Sequence, residues 1–445
     1  MKPRPPLPAG PFLVLGLARS GSAIALALRA RGEEVIGCDA GARDDPRLRE
    51  TAGRLAAAGV EVHLDASGEA LAANAGTLVK SPGVPQSAPA VAAARAHGVP
   101  VVGELELAWR LLRNEFVAVT GTNGKTTTTE WIGHIHRVAG APVAVAGNVG
   151  TALSALIGTI PADATVVCEA SSFQLEDAER FAPEVALLLN IAPDHLDRHG
   201  SFEAYVAAKL RIFAHQDAGD LAIVPDGLEL ALPGGARRLR FGSSASAALR
   251  LERGRLRWQG SELLDLRELQ LPGEHNAQNA MAAAAACLGR GLAPDAVAEG
   301  LRTFAGVPHR LELVAERGGV RYVNDSKATN VASTVVALRS YPGGVHLIAG
   351  GRGKGQDFAA LRGLVAERCR AVYLIGEDAA ALRAALAGSG AELLEAGDLE
   401  TALSLARARA RAGEVVLLSP ACASYDQYRD FEARGEHFRA LVEDA

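Results

Sequence analysis

The segment Phe116-Val-Ala-Val-Thr-Gly-Thr-Asn-Gly-Lys-Thr-Thr-Thr128 decides the fold class of the region around it. Its first five residues predict a buried strand, and the Gly-rich turn that follows leads into a helix. Such a turn directs backbone N–H groups and a helix N-terminus at a polyphosphate. Lys125 would then contact the phosphates and the Thr126 hydroxyl would lie near Mg²⁺. The match to G-x-x-x-x-G-K-[ST] is imperfect, because Val119 occupies the first glycine position and Gly121 stands two residues later.

Short apolar runs, each followed by a helix-like segment, recur on both sides of this loop. They are Phe12–Gly16, Glu34–Cys38, Thr77–Lys80, Phe116–Thr120, Thr165–Cys168, Val185–Asn190, Val345–Ala349, Ala371–Ile375 and Val415–Leu418. Buried strands that alternate with Ala/Leu-rich helices predict a parallel α/β architecture. The Arg- and Gly-rich stretch Leu228–Leu271 has short alternating pieces and predicts antiparallel strands.

Two boundaries divide the chain of 445 residues. The strand–helix rhythm restarts near Gly103, and a helical stretch ends near Val307-Pro308. We therefore predict three α/β domains. Residues 1–103 form an N-terminal Rossmann-like domain, and 104–306 form a central P-loop ATPase-like domain with a parallel sheet plus antiparallel strands. Residues 307–445 form a C-terminal Rossmann-like domain.

Composition excludes several classes of protein. The chain has 46 Lys and Arg against 51 Asp and Glu, a net charge of −5, so a basic surface for nucleic acid or membrane is not expected. No apolar run approaches the ~20 residues that span a bilayer. The five cysteines lie far apart without C-x-x-C spacing, which favours reduced thiols in a cytoplasmic protein over a zinc site or a disulfide framework.

Lysine is scarce, since the basic residues comprise 40 Arg and 6 Lys. A surviving Lys then indicates a position that needs a compact amine, because a guanidinium cannot replace it there. Four of the six, Lys125, Lys209, Lys327 and Lys354, lie in candidate site segments. This scarcity favours phosphate binding by the loop at Lys125 over a plain strand–turn–helix. The same scarcity argues against the interpretation of Lys209 as an ordinary solvent-exposed lysine on a helix.

The N-terminal segment carries a second Gly-rich turn. Leu15-Gly-Leu-Ala-Arg-Ser-Gly-Ser22 follows a strand, and Asp39 closes the next strand. Glycines in the turn and an acid roughly 20 residues later are typical of dinucleotide binding. Strict G-x-G-x-x-G spacing is absent, so a nicotinamide cofactor and another nucleotide diphosphate both remain open.

Polar side chains follow two apolar strands of the central region. Glu169 opens one such segment, and His195 lies in the segment from Asn190 to His199. Carboxylate and imidazole groups at strand ends behind a phosphate loop are candidate Mg²⁺ ligands or partners of those ligands. A capping or surface role is the alternative for each residue, and His199 is predicted to be a surface residue.

Small, polar loops follow the strands of the last third. They are Pro308-His-Arg310, Asn324-Asp-Ser-Lys-Ala-Thr-Asn330, Gly350-Gly-Arg-Gly-Lys-Gly355 and Ser419-Pro-Ala-Cys-Ala-Ser-Tyr-Asp426. Open α/β sheets bind ligands at the carboxyl ends of their strands. These loops therefore predict a further ligand site.

Together these segments resemble the Mur ligase family of ATP-dependent peptidoglycan ligases, in collinear order over essentially the whole chain. Thr120–Thr126 resembles the family's phosphate loop, and Pro308–Arg310 and Asn324–Asn330 are highly specific. The segment Ser419–Ser424, continuing to Phe431 and Arg434-Gly435, resembles the D-glutamate-adding branch. The D-N-P-R motif of the diaminopimelate-adding branch is absent.

The resemblance implies an enzyme that joins D-glutamate to UDP-N-acetylmuramoyl-L-alanine through an acyl phosphate, in peptidoglycan precursor synthesis. It implies ATP and two Mg²⁺ sites, no nucleic-acid or membrane partner, and a cytoplasmic monomer. The L-alanine-adding, other Mur-type and folylpolyglutamate-type ligases are the nearest rivals. A regulatory P-loop NTPase, a nicotinamide dehydrogenase and a non-catalytic ATP-binding scaffold are alternatives from other classes.

The resemblance also implies roles for individual residues. The catalytic set is Lys125, Glu169, His195 and Lys209. The metal set is Thr126, Glu169, His195 and, once carbamylated, Lys209. The ATP set is Gly121, Thr122, Asn123, Gly124, Lys125, Thr126, Thr127, Asn276, Asn279, Arg310 and Asp325. The UDP-substrate set is Gly16, Arg19, Ser20, Asp39, Ser81, Gly83, Asn148 and His195. The D-glutamate set is Lys327, Thr329, Lys354, Ser424, Tyr425 and Phe431.

Overall fold

The computed structural model describes residues 2–271, 273–353 and 356–444. Lys354, predicted to bind D-glutamate, lies outside the described residues. The chain clusters into two compact units, Met1–Ala305 and Gly306–Ala445. The first unit contains two sheets and the second contains one.

The first sheet has five parallel strands in the order β3-β2-β1-β4-β5. Its strands are β1 (Phe12–Leu15), β2 (Val35–Asp39), β3 (Glu61–Leu64), β4 (Thr77–Lys80) and β5 (Val101–Gly103). The accompanying helices are α1 (Arg19–Ala30), α2 (Pro46–Ala57), α3 (Glu69–Ala72), α4 (Pro89–Ala96) and α5 (Glu104–Leu111). Leu15 of β1 pairs with Cys38 on one side and Lys80 on the other. The loops after β1, β2 and β4 therefore emerge together at the point where strand order reverses, which is where such sheets bind ligands.

The second sheet has nine strands in the order β14-β13-β12-β11-β10-β9-β6-β8-β7. These are β6 (Phe116–Thr120), β7 (Val143–Gly147), β8 (Thr165–Glu169), β9 (Val185–Leu188), β10 (Leu221–Pro225), β11 (Arg237–Gly242), β12 (Leu249–Glu252), β13 (Arg255–Trp258) and β14 (Ser261–Asp265). Its helices are α6 (Lys125–Val138), α7 (Ser172–Glu176), α8 (Leu196–His199), α9 (Phe202–Leu210), α10 (Glu274–Gly289) and α11 (Pro294–Thr303). Short 3₁₀ turns lie at Leu153–Leu156, Arg211–Phe213 and Leu266–Glu268.

The antiparallel strands predicted between residues 228 and 271 are present only in part. Strands β12, β13 and β14 pair antiparallel, as expected. Strand β11 instead pairs parallel with both β10 and β12, so the prediction is wrong there. The connection between β10 and β11, residues 226–236, is too long for a tight hairpin and returns the chain to the same end of the sheet.

Aromatic packing joins the first two sheets within the Met1–Ala305 unit. Trp109 of α5 is 2 % exposed, and its ring centroid lies 5.8 Å from that of Phe181, edge to face. Phe116 of β6 meets the same Phe181 ring at 6.2 Å. Helix α5 therefore follows the first sheet in the chain while burying its Trp in the core of the second, which explains why the two sheets share one unit.

The second unit holds one six-stranded sheet in the order β15-β16-β20-β17-β18-β19, in which only the described β15–β16 pair is antiparallel. Its strands are β15 (Glu312–Arg317), β16 (Val320–Asn324), β17 (Val345–Gly350), β18 (Cys369–Ile375), β19 (Glu392–Gly397) and β20 (Val415–Leu418). Its helices are α12 (Val331–Arg339), α13 (Arg362–Arg368), α14 (Ala379–Leu386), α15 (Leu399–Arg409) and α16 (Phe431–Glu443), with a 3₁₀ turn at Phe358–Leu361.

All nine strands predicted from apolar runs are present, and the α/β fold class is confirmed. The strands that the sequence did not reveal include β3, β15 and β19, whose residues are largely half-buried or exposed. Such strands have no continuous apolar run to mark them. The domain boundaries at 103 and 306 stay predictions. Among the described residues, every helix is too short or too polar to cross a lipid bilayer.

Candidate functional site

The phosphate loop connects buried strand β6 to helix α6. Gly124, the residue before the helix, has φ +83°, and a Cβ there would lie 2.2 Å from Asn279 Oδ1. Only glycine fits this position, because a side chain would strain the backbone and strike Asn279. No side chain caps the helix, so its first-turn N–H groups point toward the loop as an anion site. Thr126 and Thr127 are buried in that first turn.

Asn190, which follows β9, holds the loop in shape. Its side-chain Oδ1 accepts from Asn123 N at 2.8 Å, and its Nδ2 donates to Asn123 O at 3.0 Å. Its backbone carbonyl accepts from Thr122 N at 3.1 Å. The Thr122 hydroxyl also lies 3.0 Å from the Tyr205 hydroxyl. Neither Asn190 nor Tyr205 was predicted as a site residue, although Asn190 stands directly after a buried run.

Two lysine amines meet at one carbonyl of this loop. Lys125 Nζ donates to the carbonyls of Gly121 and Thr122, each at 2.9 Å, and Lys209 Nζ donates to Gly121 at 2.8 Å. Lys209 is 1 % exposed, so it is not a solvated helix residue. Its burial, and secondarily the nearby charge of Lys125, lowers the pKa of Lys209 to about 7. At neutral pH this amine is therefore partly uncharged.

Glu169, at the end of β8, is linked to the N-terminal sheet through Asn148. Asn148 Nδ2 donates to Glu169 Oε1 at 3.0 Å, and Asn148 N donates to the Glu169 carbonyl at 2.9 Å. Arg19, at the start of α1, donates to the Asn148 carbonyl at 2.9 Å. A predicted metal ligand and two predicted UDP-substrate residues thus form one hydrogen-bonded chain.

Asn148, which links Glu169 to Arg19, also lines a cavity of about 250 Å³. It is lined by Lys125, Asn148, Ser171, Ser172, Phe173, Asp194, His195, Tyr205 and Lys209. His195 is half-exposed, adopts φ 52°, and stands 4.9 Å from the Phe173 ring. The structure thus brings Lys125, His195 and Lys209 to one cavity, with Glu169 bonded to its wall at Asn148.

The prediction that His199 is a surface residue is wrong. Its side chain is 1 % exposed, and its Nε2 lies 3.0 Å from the Ser172 hydroxyl. The ring stacks on Phe173 with centroids 5.4 Å apart, and burial lowers the pKa of His199. The short helix α8 places His199 one turn after His195, so both rings face Phe173.

The N-terminal Gly-rich turn packs against the turn that follows β4. Ser81 Oγ donates to the Gly16 carbonyl at 2.6 Å. The Asp39 carboxylate accepts from Leu17 N at 2.6 Å and from Gly41 N at 2.8 Å, so it joins the loops after β1 and β2. Ser20 lies in the first turn of α1 and Gly83 is exposed in the turn after β4. The sequence indicated these residues but not that Asp39 connects the two loops.

In the second unit, Asp325 directly follows β16 and lies among hydrogen-bond donors. Its carboxylate accepts from Ser419 Oγ at 2.7 Å and from Leu311 N at 3.2 Å. Burial raises the pKa of Asp325 to about 7, although the Ser419 hydrogen bond and the Arg310 charge oppose the shift.

Because the Asp325 pKa is higher in the folded state than in the unfolded chain, this carboxyl favours folding at low pH. That contribution is complete below the unfolded value and is lost as pH rises through about 7. We expect Asp325→Asn to gain stability relative to wild type as pH rises from about 4 to about 7. Thermal unfolding of both proteins across this range measures the difference, and parallel profiles would contradict the expectation.

The described residues that were predicted to bind D-glutamate lie in the segment after β16, in the segment after β20, and at the start of α16. Lys327 is half-buried with its Nζ 5.7 Å from the Phe431 ring centroid, and Thr329 N donates to the Lys327 carbonyl. Ser424 is 2 % exposed, and its hydroxyl finds no hydrogen-bond partner among the described residues. Tyr425 is 49 % exposed.

Arg434 of α16 holds these segments together but was not predicted as a site residue. It is 1 % exposed and donates to Ser326 Oγ at 3.0 Å, to the Ser326 carbonyl at 2.9 Å and to the Cys422 carbonyl at 3.1 Å. Burial lowers the pKa of Arg434 to about 10. The sequence showed Arg434-Gly435 as part of a motif, but it did not reveal that Arg434 bonds Ser326 and Cys422.

Comparison with known proteins identifies the family. Residues 11–103 match the Mur ligase MurD-like N-terminal domain, 119–287 the Mur ligase middle domain, and 309–422 the Mur ligase glutamate ligase domain. A UDP-N-acetylmuramoylalanine--D-glutamate ligase of Acidobacterium capsulatum is 43 % identical, covering 97 % of this chain and 95 % of the relative. The chain belongs to the Mur ligase family. This membership confirms the resemblance drawn from the motifs.

Other comparisons place this Mur ligase among similar proteins. A ligase of the same name from Pelotomaculum thermopropionicum is 44 % identical, covering 97 % of this chain and 96 % of the relative. The structure of UDP-N-acetylmuramate-alanine ligase MurC from Thermotoga maritima has a TM-score of 0.58 at 22 % identity, covering 98 % of this chain and all of that chain. E. coli FolC in complex with DHPP and ADP has a TM-score of 0.56 at 20 % identity, covering 76 % and 92 %. These two structures support the Mur ligase fold.

Proposed function

We propose that this Mur ligase joins D-glutamate to UDP-N-acetylmuramoyl-L-alanine, with ATP converted to ADP and phosphate, as a cytoplasmic monomer in peptidoglycan precursor synthesis. The observation that carries the proposal is the 43–44 % identity to D-glutamate ligases along 97 % of the chain. Three of the four predicted catalytic residues, Lys125, His195 and Lys209, line one cavity, and this supports the proposal.

The chemical problem is that a carboxylate is a poor electrophile. Transfer of the γ-phosphoryl group to the alanyl carboxylate gives an acyl phosphate and ADP. The D-glutamate amine then attacks the carbonyl carbon, phosphate leaves, and the nitrogen loses its proton as the amide forms. Two anions must approach each other in the first step. Lys125 and the N–H groups at the start of α6 supply opposing charge, and the hydrogen bonds between Asn190 and the loop help to position them.

The donor set fits Mg²⁺. Thr126 and Glu169 offer hydroxyl and carboxylate oxygens, the ligand type that Mg²⁺ prefers, and His195 adds an imidazole that the resemblance assigns to the second ion. Within the described ranges no three His, Cys, Asp or Glu side chains form a metal-binding group. Mg²⁺ suits such a set, because it commonly takes most of its ligands from substrate phosphates and water. When bound, Mg²⁺ would neutralise charge on the transferring phosphoryl group. We propose two such ions.

We propose that Lys209 is carbamylated. A lysine with a pKa near 7 is largely uncharged at mildly alkaline pH, and its neutral nitrogen can attack CO₂ and lose a proton. The product is an anion in place of a cation. It would lie beside the Lys125 ammonium and supply a carboxylate-like metal ligand.

The remaining sets complete the proposal. We propose that Asn276, Asn279, Arg310 and Asp325 contact ATP, and that the loops bearing Gly16, Arg19, Ser20, Asp39, Ser81, Gly83 and Asn148 hold the UDP-muramoyl substrate. The ammonium of Lys327 suits a D-glutamate carboxylate. The buried Ser424 hydroxyl supports the assignment of this region, because buried polar groups normally have a partner and a ligand could supply it.

A phosphate-release assay tests the proposed function. We expect release with ATP, Mg²⁺ and UDP-N-acetylmuramoyl-L-alanine to require D-glutamate, with L-glutamate, L-alanine and diaminopimelate inactive. Release that is indifferent to D-glutamate would defeat the assignment. Release with UDP-N-acetylmuramate and L-alanine, or with a folate and glutamate, would instead favour one of the rival ligases.

The Ser424→Ala variant tests the D-glutamate site. Removing one hydrogen bond to the ligand is expected to raise the KM for D-glutamate about fivefold to tenfold. The KM for ATP should stay at the wild-type value. Thermal unfolding serves as the control, because an unchanged midpoint shows that the fold is intact. An unchanged KM for D-glutamate would remove Ser424 from the site.

A further inference from the structure

The turn Ser81–Val84 follows β4 and rests on the N-terminal Gly-rich loop. Ser81 Oγ donates to the Gly16 carbonyl, and the Val84 N–H donates to the Ser81 carbonyl at 3.0 Å. Under the proposed function, on which this inference rests, the turn faces the UDP-muramoyl substrate. Its position relative to the cavity therefore affects where the reacting carboxylate lies.

A buried ion pair ties this turn to the second sheet. Lys80 is fully buried, and its Nζ lies 2.8 Å from Asp177 Oδ2. The same Nζ donates to the Val84 carbonyl at 2.9 Å. Asp177 directly follows α7, whose residues Ser172 and Phe173 line the cavity. Lys80 is also one of six lysines in the chain and has no role in the reaction described above.

A second cation donates to the same carbonyl. Arg198 of α8 donates to the Val84 carbonyl at 2.8 Å and to the Pro82 carbonyl at 3.2 Å. Its guanidinium lies 4.6 Å from the centroid of the Phe173 ring, which also contacts His195. The substrate turn and the cavity wall are thus joined through Lys80 and Arg198.

We propose that Lys80, Asp177 and Arg198 are positioning residues that fix the Ser81–Val84 turn, and with it the muramoyl end of the substrate, relative to the cavity. A buried ion pair is seldom more stabilising than an apolar pair of similar size, so stability alone gives little reason for Lys80 and Asp177. Two cations that donate to one carbonyl restrict its position more than one would. A change of about 1 Å in such a position can cost up to about 100-fold in rate.

Two variants test the inference. Lys80→Met/Asp177→Leu replaces the pair with apolar side chains and leaves no unpaired charge from it. Arg198→Met removes the two hydrogen bonds that Arg198 Nη2 donates to the turn. For each we expect the KM for UDP-N-acetylmuramoyl-L-alanine to rise about tenfold, and the KM values for ATP and D-glutamate to change less than about twofold. Lys2→Met is the control for loss of a lysine ion pair, because Lys2 pairs with Asp217 and Asp220, which belong to neither the turn nor α7.

The outcomes separate positioning from stability. A wild-type KM for the UDP-substrate in both variants overturns the inference. A rise in all three KM values together with a lower unfolding midpoint also overturns it, because that pattern shows a general loss of structure. Calorimetric binding of UDP-N-acetylmuramoyl-L-alanine, with no ATP present, provides a readout independent of turnover. Weaker binding by the variants than by wild type supports the positioning role of Lys80, Asp177 and Arg198, even if phosphate release does not depend on D-glutamate. A wild-type protein that does not bind this nucleotide overturns both this inference and the proposed function.

Discussion

Replacing Lys209 with Met is expected to lower ligase activity by about 10²- to 10³-fold while making the protein more stable. The activity is lost because neither an amine nor a carbamate remains beside Lys125. The free energy of unfolding increases because a buried amine whose pKa is depressed to about 7 is replaced by an apolar side chain of similar length. The Gly121 carbonyl keeps its hydrogen bond from Lys125. We expect a gain on the order of 1–3 kcal/mol at pH 7 in CO₂-free buffer.

The pH dependence of this gain has a definite sign. The folded pKa of Lys209 is about 7 and the ordinary value is 10.5, so between these values the unfolded chain binds more protons than the folded one. Wild-type stability therefore rises with pH across this window, whereas the Met variant lacks that contribution. The advantage of Lys209→Met should be full at and below pH 7 and should vanish toward pH 10.5.

Unfolding measured at several pH values, together with phosphate release, tests both effects. Lys2→Met is the control and should retain full activity, since Lys2 lies in an ion pair with Asp217 and Asp220. For the smaller Lys209→Ala variant, high chloride should restore part of the activity, because a small anion can replace the charge of the proposed carbamate. Full activity of the Met variant without added anion would exclude Lys209 from the site.

Replacing Gly21 with Ala should destabilise the first sheet and weaken binding of the UDP-substrate. A Cβ at this position would lie 1.8 Å from the Gly16 carbonyl oxygen and 2.7 Å from Ser81 Oγ. The first of these atoms is backbone and cannot rotate away, so α1 must move from the loop. We expect a loss of about 3 kcal/mol or more and an affinity for UDP-N-acetylmuramoyl-L-alanine reduced at least about tenfold.

Gly53→Ala is the matched control for this variant. Gly53 lies within α2, where a Cβ would meet nothing within 4 Å. Alanine has the higher helix propensity, so this substitution should stabilise the protein by about 0.5–1 kcal/mol. Calorimetric unfolding of both variants distinguishes close packing at Gly21 from a general intolerance of Gly→Ala. Equal stability of the two proteins would contradict the proposed contact.

Much of the fold could be predicted because its parallel strands are buried on both faces. β6, for example, is a run of five buried residues between polar segments. The half-buried strand β15 gave no comparable signal, and the parallel pairing of β11 depends on how a long loop returns. His199 was assigned to the surface because a His in a polar segment carries no local mark of burial. Its environment is set by Phe173 and Ser172, more than 20 residues earlier in the chain.

The amino-acid sequence by itself determined the alternation of strands and helices, the Gly-rich phosphate loop and the scarcity of Lys, because each is a local or compositional property. Only the tertiary structure decided that Lys209 donates to Gly121, 88 positions earlier, and that Lys80 pairs with Asp177. A side chain's pKa and partners depend on what surrounds it in space. Residues distant in the chain supply those surroundings. The depressed pKa of Lys209 and the contacts of Lys80 and Arg198 with the Ser81–Val84 turn therefore appear only once the sheets are assembled.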